Sequence, residues 1–185
     1  MKTHPDIERL IESGVISNEL DHERAMIADR KLRLLAKENE HFKNLRKKLR
    51  ALIETYESQN WSDINTVTPE KIAESDHAAI IAERERLFLK ARKQRIREKL
   101  KALDLTQENL GQILGHRSKT HMSELMNGIK PFTLRDLVII NRLLGIDIKD
   151  LVPVFLSGED QVKVKSAIVK LNKPLLKLRK GDLWV

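Results

Sequence analysis

At 185 residues, 41% hydrophobic and 34% charged, the chain has room for one or two small domains and enough apolar material for a core, which excludes wholesale disorder. No run approaches the roughly 18 consecutive apolar residues of a membrane span, and the charged N-terminus carries no apolar signal region. With no cysteine there is neither a disulfide nor a thiolate metal site, which fits a reducing compartment.

The net charge of +8 is unevenly spread. Residues 1–83 hold 13 basic and 16 acidic side chains, whereas 84–101 hold nine and two. The stretch 106–153 is nearly neutral, with six basic and five acidic, and 162–185 is again strongly basic, with seven and one. Basic segments of this kind attract polyphosphate whatever its base sequence. The same pattern also describes a solvated helix face and a solubilising tail.

In chain order, residues 6–13 read as a short helix ended by Gly14. A long helix is predicted from about Asn18 or Asp21 to Tyr56. Within it Leu35, Phe42, Leu45, Leu49, Leu52 and Tyr56 fall on one stripe between basic flanks, with Glu38 interrupting the heptad. Either a coiled coil or a bundle helix, packed in its own chain or in a dimer, fits this stripe. Residues 59–69 form the clearest linker, and Thr68-Pro69 opens a further helix to Leu103, with a break expected near 75–77.

Beyond Leu105 the elements become short and sharply punctuated. Thr106 caps a helix over 107–114 that Gly115 ends, and Ser118 caps a second over 119–127 that Gly128 ends. Thr133, with Asp136 in capping-box position, opens a third to Leu144, and Asp147 caps a fourth to Leu151 before Pro153. Leu110, Ile113, Leu114, Met122, Leu125, Leu134, Leu137, Val138, Leu143 and Leu151 are the expected core. Gly111, mid-helix, implies close approach of the next helix. A short helix, a tight turn and a crossing second helix form the arrangement that places the second helix in a DNA major groove. The tail after 156 mixes cations with Ile168, Val169, Leu171, Leu175, Leu176, Leu178, Leu183 and Trp184, with a short strand-like alternation at 162–165.

The string LTQENLGQILGHRSKTHMSELMNG resembles the helix-turn-helix of the Cro/repressor (Xre-type) family, and TLRDLVIINRLLGIDIKDLV resembles that family's closing helices. The turn is about one residue longer than the commonest spacing. A narrower resemblance, through Ser118-Lys-Thr120, Ser123, Asn127-Gly128 and Phe132-Thr-Leu134, is to HigA-type antitoxins. The helical and charge patterns make the chain all-α, with a long-helix oligomerisation or partner-binding region over 1–68 and a basic tail over 156–185. The resemblance covers 96 to about 153 and implies a lambda-repressor-like DNA-binding domain, set at 69–155, in a bacterial cytoplasmic protein that needs no cofactor. It implies a homodimeric repressor of double-stranded operator DNA, in toxin–antitoxin form neutralising a small basic HigB/RelE-like toxin. A stand-alone regulator and a helical protein–protein adaptor are the alternatives.

By the same resemblance, the base-facing positions are Lys119, Thr120 and Glu124, with Ser123 a further candidate. Gln107 at the opening of its helix is a phosphate contact. Arg117, the capping Ser118 and Lys130 are expected near phosphate, and His121 either joins them or is merely exposed. Nothing points to an enzyme. The six histidines make no metal-ligand spacing, there is no nucleophile elbow or glycine-rich phosphate loop, and Glu38/Glu40 and Glu83/Glu85 read as solvated faces.

Overall fold

A computed structural model describes residues 6–37, 39–153, 158–172 and 175–176. All regular secondary structure among them is helical, so the chain is all-α. No helix among the described residues is long and apolar enough to cross a membrane.

Local polar groups set the helix ends. Asp6 accepts from the Arg9 amide at 3.1 Å and starts α1 (Ile7–Ser13), and left-handed Gly14 ends it. Asn18 accepts from the Asp21 amide at 2.8 Å to start α2 (Glu19–Leu35). The single helix expected through Tyr56 is instead two. Asn39 accepts from the His41 amide at 2.9 Å and starts α3 (Glu40–Asn60). That side-chain cap satisfies backbone donors that an unbroken helix would pair internally, which lets the chain fold back. Tyr56 Oη donates to Glu19 at 2.8 Å and Arg46 Nε to Asp29 at 2.9 Å, pairs whose opposite chain order makes α2 and α3 an antiparallel hairpin. The apolar stripe therefore packs inside its own chain. Phe42, Leu45, Leu49, Ile53 and Tyr56 are buried with Ala25, Ala28 and Leu32 from α2 and Ile7 and Leu10 from α1.

After a 3-10 turn at Ile64–Thr66, Thr68 and Pro69 open α4 (Pro69–Ala102), about 50 Å long at 1.5 Å per residue. The break expected at 75–77 is absent. Those residues include neither Gly nor Pro, and Ala78, Ile81 and Ala82 immediately beyond are buried. The first half of α4 packs on α2, where Glu85 takes a bidentate pair of hydrogen bonds from Arg24 at 2.8 and 2.6 Å. The second half supplies Ile96 and Leu100 to a separate core. One helix thus packs on α2 with its first half and enters the second core with its other half.

The second core is built by α5 (Gln107–Leu114), α6 (Lys119–Asn127), α7 (Leu134–Leu144) and α8 (Ile148–Leu151). Capping boxes at Thr106/Asn109 and Thr133/Asp136 set two of their starts, and Asp147 makes no side-chain cap bond. Four residues expected in the core are exposed: Ile113, Leu134, Val138 and Leu143. Met126, Phe132, Ile140, Leu144 and Ile146 are buried there instead. Helix α7 is apolar on more than one side, so periodicity alone does not choose the buried face. The final element, α9 (Gly158–Leu171), is helical through 162–165, where a strand-like alternation was expected. Val169, Leu171, Leu175 and Leu176 in it and just beyond are exposed. Leu178, Leu183 and Trp184 lie outside the described residues.

Gly111 has the close approach its position implied. A Cβ there would lie 3.0 Å from the His116 carbonyl oxygen and 3.5 Å from Met122 Cγ. The carbonyl cannot retreat easily, because the His116 amide is itself bonded to the Gly111 carbonyl at 2.7 Å. Gly111→Ala is therefore expected to lower stability by about 1 kcal/mol, although helix propensity alone favours Ala by about as much. Gly111→Val should lower it further, and urea denaturation measures both.

Candidate nucleic-acid interface

The turn between α5 and α6 is held from three sides. Gly115 is left-handed, Ser118 Oγ accepts from the His121 amide at 3.2 Å, and the His116 ring lies 3.2 Å from buried Asp136 of α7. Burial pushes the Asp136 carboxyl up, but hydrogen bonds from Thr133 and the His116 contact hold it below the ordinary range. The turn is thus anchored to the core, and it fixes where α6 starts.

The structure divides the nine expected contact residues. Arg117, Ser118 and Lys119 are exposed at the turn and the first residue of α6, with Gln107 half-buried in the first turn of α5. The Lys119 ammonium lies 3.0 Å from Glu108 of α5, with both side chains largely in solvent. These four residues lie at the α5–α6 end of the domain.

The others face protein. Thr120 Oγ1 accepts from Asn39 Nδ2 at 3.1 Å, and Ser123 is engaged along α6 by Asn127 Nδ2 through both its carbonyl and its hydroxyl. Glu124 is only 2% exposed. One of its oxygens lies 2.6 Å from His41 Nε2, and the other lies 3.3 Å from both His121 Nδ1 and the Lys130 ammonium. Lys130 also lies 2.5 Å from Glu8. Thr120 and Glu124 therefore differ from the exposed, base-facing positions expected of them. Helices α1 and α3 cover them with polar groups of matching geometry, and Lys130 neutralises carboxylates at that seam.

Main-chain contacts extend the seam. The Ile7 amide donates to the Ile129 carbonyl at 3.0 Å, and Ile129, 1% exposed, is buried in the N-terminal cluster rather than in its own. Lys31 of α2 donates to the Asn127 carbonyl at 2.5 Å, and Lys93 of α4 to its side-chain oxygen at 2.6 Å. Both ammonium groups thus meet the C-terminal end of α6, where the helix dipole favours cations. Glu8, Asn39, His41 and Ile129 were not singled out from the sequence. Only Ile129, an apolar residue directly after a helix-ending Asn-Gly, carried a local signal.

Among the described residues, Glu8, His41 and Glu124 are the one cluster whose ligand atoms approach closely enough to hold a metal ion, all within 4.8 Å of one another. The Lys130 ammonium already lies against both carboxylates, so the cluster is complete as an ion-pair network. Compared with family models, with curated proteins and with solved structures, the chain matches none.

Burial pushes the Glu124 carboxyl up, but its hydrogen bond with His41, the Lys130 charge and the His121 contact hold it below the ordinary carboxylate range. A carboxylate whose folded pKa lies below its unfolded value contributes stability that is complete above the unfolded pKa. It is lost as pH falls through the folded one. Glu124→Gln should therefore destabilise the protein by on the order of 2 kcal/mol near neutral pH. The gap to the parent should close as acid titrates the carboxyl, which urea denaturation across the acid range would reveal.

Proposed function

We propose that this chain is a non-enzymatic, sequence-specific DNA-binding regulator acting in the cytoplasm through a lambda-repressor-like domain, with α5–α6 as its helix-turn-helix. The observation that carries the reading is the α5–α6 unit. Gly111 lets Met122 and the turn close on α5, and both helices are capped at the turn. The turn then presents Arg117, Ser118 and Lys119 to solvent at the start of α6. In such a unit the first residues of the second helix reach base edges, and the flanking cations and helix N-termini hold phosphate. The exposed cations near the end of α4, Arg97, Lys99 and Lys101, add sequence-independent attraction. Operator recognition as a homodimer would separate the two copies of α6 by about one DNA turn, roughly 34–36 Å.

On this reading the N-terminal helices are a cover. Asn39 holds the hydroxyl of Thr120 and His41 holds Glu124, so the deeper half of the reading face is open only when α1 and α3 move away. Neutralisation of a small basic toxin is the form the function takes if the likeness to HigA-type antitoxins extends to partners, and the N-terminal helices are then the surface a partner would shift. The adaptor reading draws support from the same seam, because protein already occupies half of α6.

Gel-shift titration with DNA from upstream of its own gene separates these readings. A regulator retards that DNA specifically, with affinity falling steeply as salt rises. Lys119→Ala should cost about 1–3 kcal/mol of preference over random DNA. Asn39→Ala combined with His41→Ala should tighten specific binding. An adaptor shows no specific retardation in any of these proteins.

A further inference from the structure

A cavity of about 440 Å³ opens where α2, α4 and the C-terminal end of α6 meet. Its walls carry five cations, Arg30 and Lys31 from α2 and Arg86, Lys90 and Lys93 from α4, and among the described residues no carboxylate lines it. Between them lies an apolar floor that includes Leu89 and Met126, with Leu34 at the rim. Of the five, Arg86 is paired with Glu83 of its own helix, at 2.6 Å. Among the described residues, Lys31 and Lys93 have only the neutral oxygens of Asn127 as hydrogen-bond acceptors.

Buried cations normally have a counter-charge, because removing an ammonium from water without one is costly. Here Lys31 is half-buried, and desolvation together with the repulsion of Lys93, Arg86 and Arg92 lowers its pKa to about 8. The cavity has the size of small-ligand sites, and its mix of apolar floor and convergent charged groups is typical of them. A bare phosphate would leave the floor unused, and a duplex backbone has no apolar body to fill it.

We infer that this cavity is a binding site for a small organic anion, one phosphate or carboxylate group on an apolar or aromatic body. The anionic group lies against Lys31 and Lys93, and the body rests on Leu89 and Met126, with Leu34 at the rim. The inference stands on the cavity and holds whether or not α6 reads DNA. Because both lysines also hold Asn127 at the end of α6, occupancy would bear directly on how that helix is seated against α2.

Anilinonaphthalene sulfonate, an anion with an aromatic body, serves as the probe in fluorescence titration and calorimetry of the full chain. One saturable site per chain is expected, weakened about tenfold by Lys31→Met, the worth of one partly buried charge contact. Leu34→Glu, at a position 62% exposed and so safe for folding, should weaken it similarly by placing a carboxylate at the rim. At pH 8 the bound anion should draw a proton onto Lys31, seen as a dependence of binding heat on buffer ionisation. Lys31→Arg should keep the affinity and abolish that proton uptake. Displacement of the probe by AMP assigns a nucleotide-like ligand and displacement by octanoate an acyl carboxylate, both within the proposal. Probe affinity unchanged in Leu34→Glu, or displacement by inorganic phosphate or duplex DNA as readily as by either organic anion, would overturn it.

Discussion

The Glu124 carboxylate is buried between the two halves of the chain, and the way those halves meet depends on satisfying it. It lies on α6, yet His41 comes from α3, and Lys130, which shares its charge, is tied in turn to Glu8 of α1. A carboxylate 2% exposed without such partners would be destabilising by several kcal/mol. Once Glu124 is placed there, α1 and α3 must sit over the middle of α6. Ile129 is then carried into the N-terminal core, and the open part of α6 is reduced to its first residues.

Helix α4 makes this arrangement stiff. It packs on α2 through the Arg24–Glu85 pair and contributes Ile96 and Leu100 to the other core without interruption. Buried Arg92 donates to the carbonyl of Leu151 at 3.2 Å, and Lys93 reaches Asn127, so the same helix also steadies the ends of α8 and α6. Motion of α1 and α3 off α6 would have to withdraw Ile129 from the N-terminal core.

The short helices after Leu105 were legible because local chemistry writes their ends. Thr106, Ser118 and Thr133 open them and Gly115, Gly128 and Gly145 close them, within a few residues of sequence. The break between α2 and α3 was missed because one Asn cap inside a charged, strongly helical run outweighs propensity only when the two helices can pack on each other. The buried face of α7 was half misread, since Leu134 and Val138 are as apolar as Leu137 and Ile140. The seam was not legible at all. Asn39 meets Thr120 across 81 residues and His41 meets Glu124 across 83, and no periodicity or capping pattern reports a contact at that separation. The open residues of the candidate interface were readable from their place after the turn, and the covered ones were not.

The native chain contains no cysteine, so Asn39→Cys with Thr120→Cys would create its sole thiol pair, at side chains now 3.1 Å apart. Retardation of the upstream DNA by this protein, measured oxidised and then reduced, tests the central claim that α6 reads DNA and that the N-terminal helices cover it. Loss of specific binding in the oxidised form and its return on reduction is the predicted result. Equal specific binding in both forms, or none in either form or in the native chain, would contradict the account.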